Sequence, residues 1–519
     1  MHTLHEQKGL QIADRAVTPD YPWWRLVVLC VLFLLSIIIY ILLIGVAPYN
    51  KSDALPFLHV EILSFVPYLV ACAFVLATKP APGRWQWLEI GVILLGALVL
   101  RAMLLPLPPG LSRDSWRYLW DARVTLHGFS PYVYAPFDKA LVPLRDTVLL
   151  PNSRFRNVPT IYPPGAQGVY LLSYLLAGSN LFFLKGIFLI FDMVTCLALV
   201  ILLGRKGLDQ RRVILYAWCP LPIIEFAIEG HVDVITLTFT ILAVLAATNT
   251  SLRGRVLTGF LIGMATLTKI YPILLLVALV PALTNLHPRY ARLSWEQIRS
   301  IVRYNAPLFI TCFVTILLGY VPYLILGHGQ VFGYFAIYAS EQGENAGVVQ
   351  QFVRWLGAHS HLTLMNTISL EHVIDFLLIC AVSLGVFLLR LYNRIGSEMA
   401  VLLLFGVILS ISSHVFPWYT TTLLLWVPVL IGPLWKHKGL AGRGLAVLAT
   451  WYFTLTSIFG YYFKGVSGRP VPDWTPYYNF VYWPAVIALI VATIIGIMNL
   501  YRLLGGFHLA NHSTKNQQR

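Results

Sequence analysis

The chain has 519 residues, 58% of them hydrophobic and 11% charged, and its 37 Lys and Arg against 22 Asp and Glu give a formal net charge of +15. Soluble globular proteins carry about 25% charged residues, so this composition excludes an ordinary water-soluble enzyme, a disordered protein and a nucleic-acid binder. A mean hydropathy of +0.73 points instead to a polytopic membrane protein.

A bilayer crossing takes about 20 apolar residues. Runs of this kind lie near 24–46, 55–77, 86–106, 180–203, 213–228, 232–248, 306–326, 368–391, 398–413, 417–434, 443–462 and 479–503. Two shorter runs, 256–268 and 270–283, flank Lys269 and predict a hairpin of short or broken helices. The first run is long and lacks the small-residue cleavage site of a signal peptide. No internal repeat appears. The expectation is an all-α polytopic membrane protein of roughly 12–14 helices forming one domain over residues 1–519, with a disordered polar tail at 505–519. The six cysteines lie in apolar runs without metal or redox spacing and read as small apolar fillers.

Loop charge sets the orientation. With the N-terminus in the cytoplasm, the basic turns at Lys79/Arg84, Arg205/Lys206/Arg211/Arg212, Arg253/Arg255, Arg390/Arg394 and Lys436/Lys438/Arg443 all fall inside. Segment 284–305 and the C-terminal tail fall there too, and the turns 47–54 and 229–231 opposite are nearly free of Lys and Arg. Topology therefore accounts for most of the positive charge without a polyanionic partner. It leaves 107–179, 327–367 and 463–478 as long external segments.

Four clusters on that external side carry candidate chemistry. After the helix breaker Pro108-Pro109-Gly110 comes Ser112-Arg113-Asp114-Ser115-Trp116-Arg117-Tyr118-Leu119-Trp120-Asp121, in which Asp114, Arg117 and Asp121 recur at helical spacing beside Tyr118. Trp116 and Trp120 are expected at the headgroup level. The second cluster is Glu225 with Glu229-Gly230-His231-Val232-Asp233, where one histidine among carboxylates is a weak metal signature. The third is Thr268-Lys269-Ile270-Tyr271-Pro272. Its lysine is flanked by apolar segments and needs an anionic partner, either a protein carboxylate or a substrate phosphate. The fourth is His414-Val415-Phe416-Pro417-Trp418-Tyr419, which also reads as an aromatic interface anchor. Convergence of all four on one side predicts one cavity.

The run from Arg113 to Pro136, RDSWRYLWDARVTLHGFSPYVYAP, resembles the first external loop of GT-C glycosyltransferases, most of all bacterial mannosyltransferases that use polyprenyl-phosphate mannose. YPPG at Tyr162–Gly165, GHVD at Gly230–Asp233, TKIYP at Thr268–Pro272 and FPWY at Phe416–Tyr419 resemble the family's motifs in order, over roughly residues 86–435. Ala122 stands where the family often has glycine, and Asp233 where relatives often show an Asn-Asp pair. The resemblance implies a polyprenyl-phosphate sugar donor, a glycan or glycolipid acceptor, inversion at the anomeric carbon and no metal cofactor. It implies Asp114 as base, with Asp121 as its partner or a sugar ligand. Arg113, Arg117 and Lys269 would hold the phosphate. Tyr118, His231, Asp233, Tyr271, Trp418 and Tyr419 would bound the sugar and lipid, and Tyr132 and Tyr134 would order the loop. The expected setting is the plasma membrane with an extracytoplasmic site. A lipid-linked glycan polymerase or ligase, or a flippase exploiting intramembrane cations such as Arg101, are the rival readings.

Overall fold

The computed structural model describes residues 23–47, 54–280, 295–340, 345–360, 363–432, 443–466, 474–496 and 498, and among these it contains helices and no strand. The expected tail at 505–519, the basic pair Lys436/Lys438 and parts of the segments 284–305, 327–367 and 463–478 lie outside the described residues.

The apolar runs fold as α1 (Trp24–Gly45), α2 (Ala54–Ala77) and α3 (Arg84–Leu104), followed by the loop helices α4 (Asp114–Leu126) and α5 (Pro164–Ala177). Then come α6 (Leu181–Arg205), α7 (Pro220–Ala227), α8 (Asp233–Ala246), α9 (Leu252–Thr266), α10 (Trp295–Leu326), α11 (Val348–His359), α12 (Leu364–Leu391), α13 (Ser397–Ile411), α14 (Pro417–Leu424), α15 (Arg443–Thr456) and α16 (Phe459–Val466). The last, α17, runs over Thr475–Gly496.

Among the described residues, seven of these helices are long and apolar enough to cross a bilayer: α1, α2, α3, α6, α10, the Ile368–Leu391 part of α12, and α17. The protein is an integral membrane protein. Several other runs break where proline interrupts the backbone ladder. The run 213–228 divides at Cys219-Pro220, and 417–434 divides into α14 and the turn Val427–Leu430, which carries Pro428. The 14 residues of α8 rise only about 21 Å, short of a 30 Å hydrocarbon layer. These short helices lie inside the bundle, where α7 and the first half of α8 are almost wholly buried. Protein neighbours can there satisfy their broken backbone ends, which lipid could not.

Two devices close the packing. Gly259 and Gly263 on α9 face α10, where an added Cβ would collide with the Leu308 carbonyl and come within 2.7 Å of Thr315, so small residues let the two backbones touch. Inside the bundle, Arg101 meets Asp192 at 2.6 Å and also donates to the Ala217 carbonyl. Arg101 is thus part of an internal ion pair. Trp120, expected at the headgroup level, is fully buried and belongs to the core, because the α4 face bearing it packs under α5 and α6. Four cysteines are buried, and Cys30 and Cys380 are exposed on their helices.

Candidate active site

The loop after α3 is held by groups from α6 and the α7–α8 turn. Pro108-Pro109-Gly110 cannot continue the helix. Its freed Leu107 carbonyl accepts from the Lys185 ammonium, which also bonds the Ile228 carbonyl at 3.3 Å. The Glu229 carboxylate accepts from three successive backbone amides, Gly110 at 3.2 Å, Leu111 at 3.1 Å and Ser112 at 2.7 Å. Burial pushes the Glu229 pKa up to about 7, with the Ser112 and Leu111 amides opposing it. This clamp delivers the chain to Asp114, the first residue of α4, whose amide bonds Ser112 Oγ at 3.3 Å.

Along α4, Arg117 pairs with Asp121 at 2.7 Å and donates to the carbonyls of Phe155 at 2.6 Å and Val158 at 3.0 Å. Gln167 of α5 reaches Asp121 at 3.4 Å. The predicted i, i+4 face exists, yet it points into the loop and braces segment 154–158. Tyr118 stacks on Tyr170 at 4.3 Å and meets Tyr162 edge-on at 4.9 Å. Burial raises the Tyr118 and Tyr162 pKa values well above the ordinary phenol, so both remain hydroxyls.

The other three clusters meet beside Asp114. His231 Nδ1 lies 2.8 Å from Glu225 Oε2, and its ring stacks on Trp418 at 3.8 Å. Burial would lower the His231 pKa, but the Glu225 bond and the charges of Glu225, Asp114 and Asp233 outweigh it and the net shift is upward. The Trp418 ring continues a ladder through Phe416 at 4.5 Å to His414, which stacks on Tyr338 of the helix Phe335–Ser340. Lys269 finds its anion in Asp233 at 2.7 Å and sits 4.0 Å over the Tyr419 ring, whose hydroxyl is 2.9 Å from that of Tyr338. YPPG and TKIYP are tied together through the residue before the latter: the Gly165 amide donates to the Leu267 carbonyl at 2.8 Å, and an added Cβ at Gly165 would come equally close to that oxygen. Tyr271 packs edge-on against Phe405.

Asp114, His231, Asp233, Lys269, Trp418 and Tyr419 are therefore neighbours, with Tyr118 beneath them. Arg113 departs from this group. It lines an open hollow of about 440 Å³ with Arg154 and Arg156, and none of the three has a carboxylate partner among the described residues. Arg156 is fixed over the Phe137 ring at 4.9 Å. Between the two loop arginines Phe155 has φ of 53°, a left-handed conformation costly for a bulky residue and held by the Arg117 bonds. Nothing in the local pattern of 151–158 marks Arg154 and Arg156.

The paired acids stand apart from the unpaired ones. Asp121, Asp233, Glu225 and Glu229 each hold a partner. Among the described residues Asp114 and Glu61 have no side-chain partner, and Glu61 is fully buried in α2 whereas Asp114 is half-buried. Among the same residues no group of three or more His, Cys, Asp and Glu is arranged to hold a metal.

The loop carboxylates, aromatic ladder and cations thus converge within a helical membrane bundle. Residues 51–285 match the family model described as alpha-(1->6)-mannopyranosyltransferase, N-terminal domain, and this match supports a mannosyltransferase. No curated protein matches the chain. Trp418 and Tyr419, which close the site, lie beyond the matched segment.

Proposed function

We propose that the protein transfers mannose from a polyprenyl-phosphate donor to an acceptor hydroxyl, with inversion, at the extracytoplasmic face of the plasma membrane. The observation that carries this reading is the Asp114 carboxylate, half-buried and unpaired beside Asp121, Asp233, Glu225 and Glu229, which all have partners. Asp114 takes the proton as the acceptor oxygen attacks the anomeric carbon. The bond from that carbon to the phosphate oxygen breaks, and the polyprenyl phosphate leaves. Arg113, Arg154 and Arg156 receive the phosphate charge, assisted by Lys269. The edge of the Trp418 ring and the Asp233 carboxylate bound the sugar, while Arg117 with Asp121 keeps the loop in shape. Tyr271 supports the Lys269 segment from below. The donor has one phosphate and the cations supply its counter-charge, so transfer proceeds without a divalent metal. The linkage formed is α-(1→6), as the family description has it.

The test uses purified protein in lipid nanodiscs with radiolabelled polyprenyl-phosphate mannose, an oligomannoside acceptor and chelator. Transfer or donor hydrolysis supports the reading. Turnover of a nucleotide sugar in place of the lipid donor, or movement of intact donor across the bilayer without cleavage, overturns it.

A further inference from the structure

The far end of the bundle holds a second cavity. α8 begins at Asp233 beside the candidate active site and runs away from it to Ala246, and α6 likewise runs from Lys185 near the site to Arg205. Between the distal ends of these helices and α9, α10 and α12 lies a cavity of about 360 Å³. Lys206, Arg255 and Arg390 line it, with Thr248, Thr250 and Ser397 among its smaller polar groups.

Three cations here face one carboxylate. Lys206 meets Glu398 at 2.5 Å. Arg255 is 7% exposed, has its guanidinium carbon 3.9 Å over the Tyr304 ring and bonds the Asn305 side-chain oxygen, and its Nε has no partner. Arg390 donates to the carbonyls of Ala278 at 2.8 Å, Val280 at 3.1 Å and Ile395 at 2.9 Å, and to no carboxylate among the described residues. Neutral acceptors orient both guanidinium groups without cancelling their charge. Desolvated cations without counter-charge are costly, and an anion in the cavity relieves that cost. The volume is at the lower end for small-molecule sites and suits a headgroup or a small phosphate compound. Basic pockets between membrane helices hold anionic headgroups in this manner, and loop charge assigns this end to the cytoplasmic leaflet.

We propose that this cavity binds the phosphate group of an anionic ligand, at a site separate from the sugar-transfer chemistry. The phosphate comes from an anionic lipid headgroup of the adjoining leaflet or from a soluble phosphate. Two measurements on the purified full chain separate the sources. In native mass spectrometry, phosphatidylglycerol and phosphatidylcholine are offered in detergent. In thermal unfolding, inorganic phosphate is compared with chloride at equal ionic strength. The variants are Arg255→Gln and Thr250→Glu, the latter placing a carboxylate at the exposed mouth without disturbing packing.

A lipid source gives a retained phosphatidylglycerol adduct, absent with phosphatidylcholine, whose affinity falls about tenfold in each variant. A soluble source gives a rise in Tm of about 1–3 °C with phosphate that both variants lose. No selective adduct and no phosphate-dependent shift, or effects that persist unchanged in Thr250→Glu, overturn the proposal.

Discussion

Asp114→Asn is the sharpest perturbation of the candidate active site. The carboxylate has no hydrogen-bond or ion-pair partner among the described residues, so an isosteric amide leaves no neighbour stranded. The folding cost is then the loss of a negative charge in the first turn of α4, about 0.3–1 kcal/mol, together with the attraction of that charge for His231. A general base contributes about 10²–10⁴-fold, or roughly 3–5 kcal/mol of barrier, so transfer falls by that factor while Tm moves by no more than about a degree or two. Asp233→Asn is the control. It strips Lys269 of its anion at 2.7 Å in a mostly buried pair and costs up to about 3–5 kcal/mol of stability along with activity. The assay measures initial transfer rates and thermal unfolding on the same nanodisc samples. Asp114→Asn retaining more than about a tenth of wild-type transfer, at unchanged stability, refutes Asp114 as the base.

Arg117→Gln leaves Asp121 buried without its cation and releases the Phe155 and Val158 carbonyls, so it lowers stability by about 3 kcal/mol or more, read as Tm. Gly165→Ala pushes a methyl to 2.8 Å from the Leu267 carbonyl, costs about 1–3 kcal/mol and displaces Lys269, so KM for the donor rises while kcat is less affected. Glu229 gives a pH signature. Its folded pKa of about 7 exceeds its ordinary 4.5, so its contribution to stability is full below pH 4.5 and is lost as pH rises through 7. Unfolding of Glu229→Gln across that window lacks this component, and identical pH profiles for the two proteins refute the assignment.

The apolar runs gave away the membrane bundle because about 20 apolar residues have few other uses, and the four polar clusters at its turns were legible for the same reason. Loop charge put those clusters on one side, but how they touch was hidden. The ring ladder from Tyr338 to His231 joins residues of the second and fourth clusters with a helix that no motif marked. Helix integrity was less readable. Pro220 and Pro428 fall at breaks in the runs 213–228 and 417–434, yet Pro67 lies inside the single helix α2 and Pro307 and Pro322 lie inside α10, so proline in a run did not by itself tell one helix from two. Partner choice was out of reach. Arg117 faces Asp121 as its spacing foretold, yet its other bonds go to carbonyls nearly 40 residues away, and Lys269 chose a protein carboxylate where a substrate phosphate would have served. Glu229 reads as one acid in a polar turn until the amides of Gly110, Leu111 and Ser112 are brought to it by the fold. Such long-range pairings leave no mark in local periodicity.

The stacking of His231 on Trp418 also has a bearing on biosynthesis. The two rings are separated by about 190 residues of chain, which at about 5–20 residues per second takes roughly 10–40 s to synthesise. Throughout that interval the Glu225–His231 pair exists without the aromatic wall that later covers it. Tyr461, which stacks on Trp418 and donates to Glu225 at 3.4 Å, is made later still, so this polar pair is covered only when the last part of the chain arrives.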